Sequence, residues 1–335
     1  MKRNKELIEV NELSESTKIS MRTRIITAIV TICICFPCAI LGDWLFVALI
    51  LAAVIISAYE ISRCAKPKHA NVLFIVVGLL MVTLTFWPYL RFLISGTFYL
   101  KPYCGFVSLD FSPLIVFIAL FLAFFFVVMD KETTVAEGCF IFTASVLVAF
   151  GFQCCLFLRY LPIVNAYNGT LNDGVPYINF FENFQSAGLF FYIILGTFLT
   201  DIGAYFIGVF FGKHKMNERI SPKKTWEGFF GGIFISAAVL VALGLILSAN
   251  QIDILTGVLD LSHWYFVLIL AIFIPLVSTL GDFVFSSFKR AYGIKDFGNI
   301  MPGHGGILDR CDSLIFTFIF AALFISIVSG NLTII

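Results

Sequence analysis

Charge is what this chain has least of. Asp, Glu, Lys and Arg make up 13% of 335 residues, against 60% hydrophobic residues and a mean hydropathy of +0.98. Soluble domains use about 25% charged and roughly 45–50% apolar residues, so an ordinary soluble fold is excluded. The net charge of +1 leaves no basic surplus, and no nucleic-acid partner is expected. A Walker A loop and a G-x-G-x-x-G turn are both absent. A nucleophile elbow and a Cys/His zinc spacing are absent too, which removes hydrolase and zinc-enzyme readings.

The nine cysteines form no framework. Cys33, Cys35 and Cys38 lie in the first apolar run and Cys154 with Cys155 in another. At helical spacing with no histidine nearby, they read as small packing residues and free thiols. No cleavable leader is expected, because residues 1–24 are polar and mixed in charge and the run that follows is long enough to span. The 40 phenylalanines read as lipid-facing and helix-packing surface.

What is present is apolar length. A bilayer core takes about 20 residues of helix. Nine runs qualify, near 25–42, 44–62, 71–90, 113–129, 139–161, 188–211, 228–248, 264–285 and 313–330. The reading is all-α: a polytopic membrane protein of about nine transmembrane helices, with a polar tail over 1–24 and one membrane domain over 25–335. Residues 25–187 supply amino-terminal helices poor in chemistry, and 188–330 carry nearly all of it. Gly42-Asp43 makes the first two spans a tight hairpin. Nine spans put the tail on the same side as Arg63, Lys66, Lys68, Lys131, the 213–224 lysines and the 289–310 cations. The other side receives Arg91 and Lys101 and no Lys or Arg in 162–187 or 249–263. By the positive-inside rule the amino terminus is cytoplasmic and the carboxy terminus is outside. Asn168-Gly169-Thr170 and Asn331-Leu332-Thr333 match glycosylation sequons on the outer side.

The scarce charge is concentrated. Residues 286–312 hold Lys289, Arg290, Lys295 and Arg310, three carboxylates (Asp296, Asp309, Asp312) and His304, in a glycine-rich string. Ionisable groups at a bilayer boundary are costly unless used. Carboxylates suit a hard cation, and Lys and Arg suit phosphate oxygens. Asp309 and Asp312, at i and i+3, share one helical face. Asp201 lies inside the sixth span and reads as lining a cavity, with Gly203, Ala204 and Gly208 open to a close helix. Ser221-Pro222 reads as the start of the seventh helix, where free N–H groups, Lys223 and Lys224 would attract an anion. Asp282 closes the eighth span on the same side. Together these groups point to metal-dependent phosphoryl or nucleotidyl transfer at the cytoplasmic edge of a bilayer.

The string from Ser286 to Asp312 resembles the signature of the phosphatidate cytidylyltransferases, or CDP-diacylglycerol synthases. It matches at Ser286, Phe288, Lys289, Arg290, Lys295, Asp296, Gly298, Pro302, His304, Gly305, Gly306, Ile307, Asp309, Arg310 and Asp312. Met301 and Cys311 depart mildly, and neither removes a charge. Asp201–Gly208 and Ser221–Gly228 are also similar to the family, so the likeness covers about 188–329.

The resemblance implies CTP and phosphatidate as substrates, CDP-diacylglycerol and pyrophosphate as products, and Mg²⁺ as cofactor. It implies Asp282 and Asp309 as the metal ligands, with Asp312 a weaker ligand or an orienting group. Lys289, Arg290 and Arg310 would hold phosphates. Ser221, Lys224 and Thr225 would meet those of CTP, and Asp201 would line the cavity. Lys295, Asp296, Gly305 and Gly306 belong to the substrate-binding string. His304 would bind phosphate or shape the turn. Asp309→Ala is expected to lose turnover in a protein that still inserts and folds. The resemblance also implies a homodimer in the bilayer. The wording around Asp201 and Ser221 points to a bacterial plasma membrane, with the endoplasmic reticulum as the site in a eukaryote. A CTP-dependent polyprenol or dolichol kinase and a transporter of a phosphorylated solute are the alternatives.

Overall fold

The computed structural model describes residues 15–64, 70–94, 106, 109–110, 112–131, 133–166, 187–250, 254–255, 259, 261–329 and 332–333. Both sequon asparagines lie outside these residues. The helices are α1 (Glu15–Leu41), α2 (Asp43–Cys64), α3 (Ala70–Thr85), α4 (Trp87–Ile94), α5 (Pro113–Met129), α6 (Val135–Ala166), α7 (Gly188–Phe211), α8 (Trp226–Ala249), α9 (Trp264–Ala291) and α10 (Leu308–Ser329). Seven are long and apolar enough to cross a membrane, and α3 and α5 are shorter apolar helices at two further predicted spans. The chain is an all-α polytopic membrane protein. Two small ribbons complete it: β1 (Leu109–Asp110) parallel to β4 (Leu332–Thr333), and β2 (Lys215–Asn217) antiparallel to β3 (Ser221–Thr225).

Two expected boundaries move. Helix α1 begins at Glu15, inside the stretch read as tail. The span expected at 71–90 is two helices, α3 and α4, meeting at Phe86. Pro88 sits in the first turn of α4, where its missing N–H is tolerated, and it cannot extend the α3 ladder.

Helix α6 is the hub, with 72% of its apolar window buried, and it packs against α2, α3, α5 and α10. Helices α7 to α10 form a second group in which α7 lies along α8 and α9 along α10. Glycine sets the α7–α8 approach. A Cβ on Gly228 would lie 2.7 Å from the Ala204 carbonyl, and one on Gly232 equally close to that of Thr200. These helices touch backbone to backbone, the small-residue contact expected from Gly203, Ala204 and Gly208.

The α1–α2 turn is as tight as predicted, with φ of 62° at Gly42 and 48° at Asp43. Its anchor was not foreseen. Arg159 of α6, fully buried, donates Nε to the Ala39 carbonyl at 2.6 Å and Nη2 to that of Ile40 at 3.0 Å. Those carbonyls are orphaned at a helix C-terminus, and a guanidinium satisfies them. The rest of α1 is bare: only 6% of its apolar window is buried, and Ile25, Ile29 and Ile32 are exposed. Every described cysteine is a free thiol, as expected.

Contacts gather α1 near Thr27, the end of α2, the β2–β3 hairpin, the end of α9 and the start of α10 at one end of the bundle. Thr27 bonds the Pro302 carbonyl, Glu60 the amide of Leu308, Arg290 the Ile220 carbonyl, and Lys224 pairs with Asp282. These contacts put the basic loops after α2, α7 and α9 on one end of the bundle.

Candidate active site

The site grows from the meeting of α9 and α10. Gly281 lets them close: a Cβ there would stand 2.8 Å from the Asp312 carbonyl. Lys289, in the last turn of α9, is buried, and its Nζ donates to Asp309 Oδ1 at 2.9 Å and lies 3.8 Å from Asp312 Oδ2. One cation thus spans the i, i+3 carboxylate pair. Asp309 Oδ2 also accepts the backbone N–H groups of Phe297 at 2.8 Å and Gly306 at 2.9 Å. The signature string is therefore folded around the Asp309 carboxylate.

A second ion pair lies beside the first. Lys224 of β3 pairs with Asp282 Oδ2, and Ser286 donates to Asp282 Oδ1 at 3.2 Å. Lys224 also sits over the Phe283 ring, 4.7 Å from its centroid. Asp201 has no hydrogen bond or ion pair among the described residues, and it feels the charges of Lys224 and Asp282. Asp312 in turn feels Asp282 and Asp201. So α7, β3, α9 and α10 bring Asp201, Lys224, Asp282, Lys289, Asp309 and Asp312 into one polar cluster.

The hairpin corrects a local reading. Ser221 and Pro222 do not open α8, because Ser221–Thr225 is a strand paired with Lys215–Asn217. The N-cap is Thr225, whose hydroxyl accepts the Gly228 N–H at 3.2 Å. Strand pairing takes the backbone groups that a cap at Ser221 would have used. Glu227 closes the hairpin by accepting from the amides of Lys213 and His214 and from His214 Nδ1. Arg290 is taken up structurally: Nε reaches the Ile220 carbonyl and Nη1 that of Ile294.

The remaining predicted residues form the glycine turn. Gly303 and Gly305 have φ of 77° and 89°, the left-handed region that L side chains avoid. Arg310 locks the turn by donating Nε and Nη2 to the His304 carbonyl, at 2.9 and 2.6 Å. His304 Nδ1 is 3.1 Å from the Thr27 hydroxyl. Burial first, then Arg310 and Arg24, lower the His304 pKa from its usual 6.5, so the ring is neutral at pH 7. Lys295, Asp296, His304, Gly305 and Arg310 line a pocket with Arg24, apart from the carboxylate cluster.

One residue that the sequence reading passed over organises all of this. Glu60 of α2, 1% exposed, accepts from the amides of Ile307 and Leu308, both at 2.9 Å. It caps α10 from another helix, satisfying orphan N–H groups and opposing the helix dipole. Gly298 and Gly306 make room for it: a Cβ on Gly298 would meet Oε1 at 2.7 Å, and one on Gly306 would be closer still. The amino-terminal helices, expected to be poor in chemistry, thus supply Glu60 and Arg159. The signal was available, since a lone carboxylate in the second span deserves the same question as Asp201.

Among the described residues no group of three or more His, Cys, Asp or Glu side chains is arranged to hold a metal ion. Asp282 and Asp312 accept few donors, whereas Asp309 keeps free capacity only on Oδ1.

A phosphatidate cytidylyltransferase of Bacillus subtilis (strain 168) is 30% identical over 311 residues, covering 93% of this chain and all of the relative. One from Staphylococcus aureus (strain COL) is 46% identical over 146 residues, 43% of this chain and 51% of the relative. The profile of the cytidylyltransferase family matches residues 22–328, which reach from within α1 to the last turn of α10, and this chain belongs to that family.

Proposed function

We propose that the protein transfers CMP from CTP to phosphatidate, yielding CDP-diacylglycerol and pyrophosphate. One observation carries the reading: a compact set of buried and half-buried ion pairs sits at one end of an apolar helical bundle, in a chain 30% identical to a relative of that name over 93% of its length. A phosphatidate phosphate oxygen attacks the α-phosphorus of CTP. The bond between the α-phosphorus and the bridging oxygen breaks, and pyrophosphate leaves with the electron pair. No covalent enzyme intermediate is needed, so the protein works by placement and charge neutralisation.

Asp282 and Asp309 would hold Mg²⁺, with Asp312 beside them. The chemistry of the donor set fits a hard cation, since carboxylate oxygens, completed by substrate phosphates, are its usual ligands. When bound, the metal would neutralise phosphate charge. Lys289 is placed to exchange Asp309 Oδ1 for a substrate oxygen, and Lys224 to do the same at Asp282. Asp201 shares their field and would keep the cavity polar. We place the reaction at the cytoplasmic face of a bacterial plasma membrane, which the bacterial relatives and the basic loops support, and the family resemblance suggests a homodimer.

The test is pyrophosphate release by the purified protein with phosphatidate, comparing CTP with ATP, with and without Mg²⁺. Release that requires CTP, Mg²⁺ and phosphatidate together, with CDP-diacylglycerol as product, is expected. Turnover of a polyprenol with CTP instead, or no turnover with any nucleotide, would overturn the reading.

A further inference from the structure

A cavity of about 680 Å³ opens between α1 at Arg24 and the glycine turn. Its lining residue Gly305 approaches the Asp309 oxygen that Lys289 does not pair with, a Cβ there standing 3.0 Å from Oδ2. Its charged lining consists of Arg24, Lys295, Arg310 and one carboxylate, Asp296. His304 adds a neutral ring, so the lining carries two positive charges in excess. Arg24 and Lys295 have no carboxylate or hydrogen-bond partner for their cationic groups among the described residues. Arg310 spends two donors on the His304 carbonyl and keeps the rest. Three cations thus face one space with one acid between them. All three are solvent-exposed, so water screens their repulsion, but their combined field still favours an anion in the space they line.

The α1 contribution is fixed. The Thr27 hydroxyl donates to the Pro302 carbonyl at 3.0 Å and meets His304 Nδ1. Gly303 lets the Arg24 stem lie across the turn, since a Cβ there would stand 3.0 Å from Arg24 Cγ. Arg24 is followed by the exposed apolar residues Ile25 and Ile26, which puts its guanidinium at headgroup level. The volume is that of a small-molecule site and larger than one inorganic phosphate needs.

We propose that this cavity is a phosphate-binding subsite in which Arg24, from a helix outside the signature string, acts with Lys295 and Arg310 on a phosphate group of a substrate. The inference rests on the cytidylyltransferase reading above. Two sources share the chemistry: the polyphosphate of a nucleotide entering from water, and the phosphate monoester of a lipid entering from the bilayer.

The experiment uses the full chain in phosphatidylcholine nanodiscs, comparing wild type, Arg24→Gln and Arg22→Gln. Arg22 is exposed on the same helix and does not line the cavity, so its variant controls for net charge. Calorimetric titration with pyrophosphate is the direct arm, and KM for each substrate is the kinetic arm. For a nucleotide source, Arg24→Gln weakens pyrophosphate binding and raises KM for CTP about tenfold. For a lipid source, it raises KM for phosphatidate by a similar factor and leaves pyrophosphate unaffected. Either result supports the subsite, and Arg24→Lys should recover part of the loss. If Arg24→Gln matches Arg22→Gln in pyrophosphate affinity and in both KM values, the subsite is refuted while the parent reading stands. If wild type turns over neither substrate, the parent reading falls. Pyrophosphate binding then decides the cavity alone, with Arg24-dependent binding in its favour and none against it.

Discussion

Replacing Glu60 with Gln is the sharpest perturbation of the signature string that touches none of its residues. Glu60 accepts two buried backbone N–H groups at 2.9 Å, from Ile307 and Leu308. A glutamine oxygen keeps one of them, while its NH₂ faces the other donor. The loss is at least one charge-assisted bond, about 1.5–3 kcal/mol. The attraction of a carboxylate to a helix N-terminus goes as well, about 0.3–2 kcal/mol. A total of roughly 2–5 kcal/mol falls on the segment that sets Asp309, Arg310 and Asp312. If about 2 kcal/mol of it appears as mispositioning, turnover drops roughly 30-fold. The assay is CTP- and phosphatidate-dependent pyrophosphate release, run beside thermal unfolding in detergent. Glu60→Asp should behave similarly, being too short to reach both amides. A Glu60→Gln protein with wild-type melting temperature and wild-type turnover would refute the reasoning.

Four further outcomes follow from the structure. Asp309→Ala strands the buried Lys289 and two backbone amides, so it should lower stability by about 3–5 kcal/mol as well as abolish turnover; this revises the expectation of an undisturbed fold, and a melting curve checks it. Lys224→Met breaks only a partly exposed ion pair, so the melting temperature should change little while turnover falls at least tenfold. Gly42→Ala forces a Cβ onto a φ of 62° and to within 2.6 Å of Arg159 Nη2, and should cost about 1–2 kcal/mol in thermal unfolding. His304 has a folded pKa below its ordinary 6.5, so its contribution to stability is full above about 6.5 and is lost as pH falls through the folded value; Arg24→Gln should raise that pKa, as NMR titration of the ring would report.

Hydropathy made the helices legible, because a bilayer imposes length and composition on each span independently of the others. Boundaries were less so. The split at Phe86 depends on Pro88, which the apolar run conceals. The β2–β3 hairpin was read as a helix start because Ser221-Pro222 is a good cap locally, and only pairing with Lys215–Asn217 overrides it. In the site, the i, i+3 spacing of Asp309 and Asp312 correctly put both within reach of one cation. The pairing of Lys224 with Asp282 could not be read, since it joins residues 58 positions apart through the packing of α8 against α9. Glu60 escaped for the same reason: its partners lie 247 and 248 residues away.

The apolar stretch of α1, Arg22–Leu41, is held near each end and almost nowhere between. Arg159 grips its last carbonyls, and Thr27, in its second turn, is pinned to the glycine turn. The shaft between them is a strut bathed in acyl chains. Its 20-residue apolar stretch spans about 30 Å, close to the thickness of a typical hydrocarbon core. A thinner or thicker bilayer must tilt the strut, because helices answer mismatch by tilting. With the far end fixed, tilt is felt where Thr27 and Arg24 meet the turn that carries His304 and Arg310. An enzyme that makes a precursor of membrane lipid would then have its site geometry coupled to the thickness of the membrane it helps to build.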